Sequence, residues 1–120
     1  MRTYRYTKVK GPNSNQFPSL AWKFVFNGDK IFFTVVRCNP KDNFSKNVAK
    51  NLLHFRYYFE SNRLYSMTHN DVKRNGSLVN AAVATLEEKP GHFEKRIVDT
   101  YYEIQFIKEG YLLDMLFEGL

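Results

Sequence analysis

The stretch that decides the fold is AWKFVFNGDKIFFTVVRC, residues 21–38. Two runs rich in aromatic and β-branched residues flank Asn27-Gly28-Asp29-Lys30. An Asn-Gly step in that setting marks a β-hairpin, because both residues tolerate positive φ. Period two places Trp22, Phe24 and Phe26 on one face of the first strand. The return strand divides into Ile31, Phe33 and Val35 on one side and Phe32, Thr34 and Val36 on the other.

Working outward, TYRYTKVK (residues 3–10) alternates as a strand, and Gly11-Pro12-Asn13-Ser14-Asn15 has the chemistry of a loop. On the other side, RCNPKDNFSKNVAKNLLHFR (37–56) ends the hairpin, breaks at Asn39-Pro40 and restarts with Asp42 or Asn43 as a helix cap. Phe44, Val48, Leu52, Phe55 and Phe59 then recur at helical spacing, which predicts a helix at about 43–59 whose apolar stripe packs on the hairpin sheet. That packing turns Lys46 and Lys50 outward, beside Arg37 and Lys41 at the helix entrance. Helix N-terminal amides add a preference for an anion there.

Residues 60–76 are polar, with Leu64–Met67 a short strand or turn. Ser77–Glu88 is predicted as a second helix, capped by Asn75 or Ser77 and stopped by Pro90-Gly91. RIVDTYYEIQFI (96–107) alternates, with Val98, Thr100, Tyr102, Ile104 and Phe106 sharing a face, and is expected to be a strand. The chain ends on the apolar YLLDMLFEGL, in which Leu112, Leu113, Met115 and Leu116 either close the core or form a partner or homodimer contact. The expected architecture is a single α+β domain, residues 1–120. It has an antiparallel sheet of four or five strands, one main helix at about 43–59 on one face and a second at about 77–88.

With 120 residues there is room for one core. Aromatic residues make up 17% of the chain, which excludes a disordered composition. No apolar run approaches the roughly 18–20 residues a membrane helix needs. The first residues lack the apolar centre of a secretory leader, and one cysteine, Cys38, cannot make an internal disulfide. A cytoplasmic, intracellular protein is expected. The net charge is +6, but residues 1–60 hold eleven Lys/Arg against three Asp/Glu, while residues 61–120 hold seven against nine. Basicity belongs to the first half, and such polarity suits an anionic partner.

A search for catalytic chemistry finds little. The three histidines, His54, His69 and His92, share no metal-ligand spacing, and no phosphate-binding or nucleophile-elbow motif is present. No metal and no cofactor is implied. His69 in a polar segment is the best available general base, and a solvated loop histidine explains it as well. Asp99 with Glu103-Ile104-Gln105 resembles the D…E-x-K pattern of metal-dependent nucleases, but glutamine replaces the lysine. Cys38 beside Arg37 has neighbours that favour a thiolate; a small apolar strand-end residue is the plainer account.

Aromatics interleaved with cations are the remaining signal: Tyr4, Arg5, Tyr6 and Lys8 at the N-terminus, Trp22-Lys23 on the hairpin, and Arg56-Tyr57-Tyr58 after the stripe. Bases stack on aromatic faces while cations track phosphates. The expected function is a non-catalytic nucleic-acid binder, RNA before DNA, or a binder of a nucleic-acid-handling protein. Arg37, Lys41, Lys46, Lys50 and Arg56 supply charge and Tyr57 and Tyr58 stack. An inhibitor acting through the apolar C-terminal segment is the alternative.

Residues 37–50, RCNPKDNFSKNVAK, also resemble a segment of small accessory proteins of tailed bacteriophages, in which a strand ending in Cys leads to Pro/Lys-Asp-x-Phe-Ser-Lys and a basic helix. The resemblance implies a non-enzymatic host-takeover or counter-defence factor. Such a factor binds a host enzyme or its nucleic acid in the host cytoplasm.

Overall fold

A computed structural model describes residues 1–9, 19–38 and 45–118, the last eight by their backbone alone. Four strands form an antiparallel meander in the order β1-β2-β3-β4: β1 Arg2–Thr7, β2 Ser19–Asn27, β3 Lys30–Cys38 and β4 Tyr65–Thr68. The helices are α1 Lys46–Phe59, α2 His69–Asn75, α3 Leu78–Glu87 and α4 His92–Glu118, with a 3-10 turn at Ser61–Arg63. The protein is an α+β fold, as the alternation and helical periods predict.

The hairpin sits where the sequence puts it. Asn27 pairs with Lys30 around the two central residues Gly28 and Asp29. Only the first central residue has positive φ: Gly28 is at 60°, and no described non-glycine residue is positive. That is the glycine-first form of a two-residue hairpin rather than one needing two positive residues.

Alternation along the strands sorts the sheet into two unlike faces. Trp22, Phe24, Ile31, Phe33, Val35, Tyr65 and Met67 point to one side. There they meet Ala81, Ala82, Val83 and Leu86 of α3 and Ile97 and Ile104 of α4 in the main core. The Trp22 indole N–H donates to Thr7 Oγ1 at 3.0 Å, so this buried polar atom has a partner. The opposite face is thin: Ala21 and Val36 meet Ala49 and Leu53 of α1, with Tyr4 and Tyr6 alongside. The sheet is therefore covered on both sides, by α1 on one and by α3 and α4 on the other.

Two expectations are corrected. Residues 96–107 are not a strand but the middle of α4. Their buried positions, Ile97, Thr100 and Ile104, are spaced by three and four, a helical period. β-Branched and aromatic residues at alternate positions imitated a strand. The second correction concerns α1. It begins at Lys46, with Ser45 as its cap accepting from the Val48 amide; Asp42 and Asn43 lie outside the described residues. The stripe does not pack on the sheet: Val48, Leu52, Phe55 and Phe59 are 50–72% exposed, and the helix buries Ala49 and Leu53 instead. Ala49, a small side chain, lets α1 lie close to a face already occupied by two tyrosines and a lysine. Phe44, the first residue of that stripe, is outside the described residues.

The second helix, expected at about 77–88, is α3, capped by Ser77 through the Asn80 amide. Leu64–Met67 contains β4. The seven-residue α2 was not anticipated, although Thr68 and Asp71 cap it reciprocally.

Candidate nucleic-acid interface

The thin face of the sheet carries the chemistry. Strand pairing sets Tyr4 opposite Lys23, and Tyr6 opposite Ala21, so these side chains share the face that α1 covers. Helical spacing places Lys46 and Lys50 one turn apart along its β1 side. The Lys46 ammonium lies 5.1 Å from the centre of the Tyr6 ring, and the Lys50 ammonium 5.2 Å from that of Tyr4. The two lysines are exposed, as expected, but they lean back over tyrosines rather than away from the sheet.

At the other end of α1, Tyr57 and Tyr58 close over Lys23. Its ammonium is 4.7 Å and 5.1 Å from their ring centres, and the whole residue is only 1% exposed. Burial lowers the Lys23 pKa, and the neighbouring charge of Arg2 lowers it further. Burial raises the Tyr57 phenol, with a smaller push from Tyr58, and the same cause acts on Tyr6 with Tyr4 beside it. Both tyrosines stay neutral, so their rings attract cations without forming ion pairs.

Ion pairs among the described residues join Arg56 to Glu60, Arg63 to Glu94, Arg74 to Asp71 and Lys95 to Asp99. None involves Arg2, Lys23, Lys46 or Lys50. Arg2, Lys46 and Lys50, which are exposed, and the four tyrosines make one positively charged aromatic surface across β1, β2 and α1, with Lys23 buried beneath it.

The sequence-predicted set divides. Lys46, Lys50, Tyr57 and Tyr58 come together, and Lys41 lies outside the described residues. Arg37 is on the opposite face of the sheet, where its Nε donates to Thr100 Oγ1 of α4 at 3.0 Å. Pairing fixes this: odd positions of β3 face α4, even positions face α1.

Arg56 has a structural post. Strand β4 pairs only with Lys30–Phe33, so the β3 edge beyond Phe33 needs other donors and acceptors. The Arg56 guanidinium donates to the Val35 carbonyl at 2.8 Å and to Glu60 at 2.9 Å, while the Thr34 hydroxyl donates to the Arg63 carbonyl at 2.8 Å. Arg56 and Arg63 both lie against the Phe93 ring, at 5.3 and 4.0 Å. The Tyr65 hydroxyl donates to buried Glu94 at 2.8 Å, tying this edge to the start of α4.

Leu112, Leu113, Met115 and Leu116 stand on the last turns of α4, where the described structure is backbone only. Asp99 and Glu103 are one helical turn apart, with Asp99 held by Lys95 at 2.9 Å. No group of three or more His, Cys, Asp or Glu suited to a metal occurs among the described residues. His69 bonds the Gly28 carbonyl at 3.0 Å and stacks on Phe26, bracing the hairpin turn. No described helix is long and apolar enough to cross a membrane.

Tyr4 and Tyr6 belong to the aromatic–cation signal read from the sequence, whereas Lys23 and Arg2 were not among the residues assigned to binding. A lysine interrupting the apolar run AWKFVF is the signal that reaches Lys23. Comparison with protein-family models, curated proteins and solved structures finds no match to this chain.

Proposed function

We propose that the chain is a non-catalytic binder of single-stranded nucleic acid, RNA in preference to DNA, and that the strand lies across the β1–β2–α1 surface. The observation that carries this reading is the pair of exposed cations, Lys46 and Lys50, seated on tyrosine rings with no carboxylate paired to them among the described residues. A phosphate backbone approaching such lysines displaces only a cation–π contact and frees the ring beside it to stack on a base. Side-by-side rings and ammonium groups on a sheet face favour an unpaired strand over a duplex, whose bases are not available for stacking. Arg37 and Arg56 are excluded from the surface by their own hydrogen bonds, so the binding set is smaller than the basic half of the sequence suggests.

The resemblance at residues 37–50 supports a role as an accessory factor of phage type, acting in the host cytoplasm on nucleic acid or on a protein that carries it. The test is fluorescence anisotropy with a labelled uridine-rich single strand, its deoxy counterpart and a duplex, at low salt. Saturable binding of the single strand, weakened by Tyr57→Ala and Tyr58→Ala together, is expected. Equal binding of the duplex, or no effect of the two tyrosine changes, overturns the proposal.

A further inference from the structure

The outward face of α1 is a second surface, which meets the lysine–tyrosine one only at Tyr58. Val48, Leu52, Phe55 and Phe59 are 57%, 50%, 54% and 72% exposed. Their spacings of four, three and four are those of consecutive d, a, d and a positions in a heptad, the pattern by which one helix seats another. The Phe55 and Phe59 rings touch, with centres 5.1 Å apart, so the stripe is a continuous ridge.

Charge decides what covers it. All three cations of α1 lie on other sides: Lys46 and Lys50 over Tyr6 and Tyr4, and Arg56 at the β3 edge. The outer face consists of Asn47, Asn51, His54 and Tyr58 around the four apolar residues, with no formal charge when histidine is neutral. An acidic partner gains nothing on such a face and is drawn to the lysines instead. A second copy, equally uncharged there, fits without leaving a buried ion unpaired.

Size and shape agree. Four half-exposed large apolar side chains offer roughly 100 Å² each, about 400 Å² per copy, and the flanking residues bring a pair to about 1,000 Å², the lower bound of a specific interface. An antiparallel arrangement about a two-fold axis between Leu52 and Phe55 sets Leu52 against Phe55 and Val48 against Phe59. Each layer then joins a small residue to a large one, whereas a parallel pair stacks Phe on Phe and Val on Val. We infer that α1 mediates a homodimer, its outer faces packed antiparallel across a two-fold axis. The dimer places two copies of the lysine–tyrosine surface side by side.

The experiment is sedimentation velocity on the RNase-treated full chain from micromolar to near-millimolar concentration. The mass is expected to rise from 14.2 kDa to twice that value. Leu52→Glu with Phe55→Glu should weaken association at least about 100-fold, since like charges then meet across the axis. The variant should keep the wild-type circular dichroism and melting. For orientation, Cys38→Ser with Asn47→Cys carrying a nitroxide should broaden amides near Phe59 in an isotope-labelled, nitroxide-free partner. A wild-type monomer throughout, a variant that still dimerises, or broadening near residue 47 of the partner overturns the inference. Unfolding of the charged variant also overturns it, by showing that the face is covered within the chain.

Discussion

Replacing Lys46 and Lys50 by glutamine separates binding from folding, and the structure sets the size of both effects. Three exposed cations on the surface, Arg2, Lys46 and Lys50, are without ion pairs among the described residues, while Lys23 is buried beneath Tyr57 and Tyr58. If each neutralises one phosphate of a single strand, log K falls with log salt at a slope of about −2.1, and affinity drops about 18-fold between 50 and 200 mM salt. Removing two of them brings the slope to about −0.7 and the drop to about 3-fold. The folding cost is limited to two cation–π contacts, at 5.1 and 5.2 Å on an exposed helix, about 1–2 kcal/mol together. The assay is anisotropy titration at several salt concentrations, with urea denaturation alongside. Lys73→Gln with Lys89→Gln, on the far side of the chain's charge distribution, is the control and should leave the slope unchanged. A double variant with the wild-type slope, or a control that lowers it equally, refutes the assignment of these lysines to phosphates.

Gly91→Ala should destabilise by about 2–4 kcal/mol in urea titration. An added Cβ would lie 1.8 Å from Glu94 Oε2, forcing that carboxylate off the Tyr65 hydroxyl in a buried setting. The cost should nearly vanish when Glu94→Ala is already present, and persistence there would refute the cause. Burial works to raise the Glu94 pKa, but the Tyr65 hydroxyl, its own amide and the charges of Arg63 and Lys89 outweigh it and hold the carboxyl below its usual 4.5. The stabilisation is therefore present above the unfolded pKa and lost as pH falls through the lower folded one. Glu94→Gln should flatten that acid limb of stability, and an unchanged limb counts against the linkage. Arg56→Met removes the donor to Val35 and leaves Glu60 without its partner, so it should cost about 1–2 kcal/mol while RNA affinity stays within about 2-fold. A large affinity loss without destabilisation would return Arg56 to the binding surface.

The hairpin was legible because its signals are local: an Asn-Gly turn and period-two apolar runs carry the information within eighteen residues. Helix α3 was legible for the same reason, with a Ser cap at one end and Pro-Gly at the other. Helix α4 was not, because Val98, Thr100, Tyr102, Ile104 and Phe106 satisfy a two-residue period while Ile97, Thr100 and Ile104 satisfy a helical one. Only the shape of α3 and the sheet core decides between them. The candidate site was half legible. Lys46, Lys50, Tyr57 and Tyr58 follow from cation–aromatic interleaving, but which face a strand residue takes depends on what lies beyond both sides of the sheet. That is why Arg37, adjacent in sequence to the basic junction, ends on the other side.

The failed expectation for α1 is itself informative. An apolar stripe ordinarily seeks the core, and here the helix turns it away in favour of Ala49 and Leu53. The sheet face beneath explains the choice: Tyr4, Tyr6 and buried Lys23 leave no room for phenylalanines but offer rings to lysines. Two buried side chains are a slender anchor for a fourteen-residue helix. The energy that holds α1 is thus divided between cation–π contacts inside and an uncovered ridge outside, and both are surfaces a ligand or a second copy can strengthen. In a domain whose main core lies wholly on the other face, α1 is the element whose stability is most open to binding. On the proposed function and the inferred dimer, a strand of nucleic acid that withdraws Lys46 and Lys50 from their tyrosines would loosen the inner contacts, and dimer packing on the outer ridge would be coupled to binding on the inner edge through one helix.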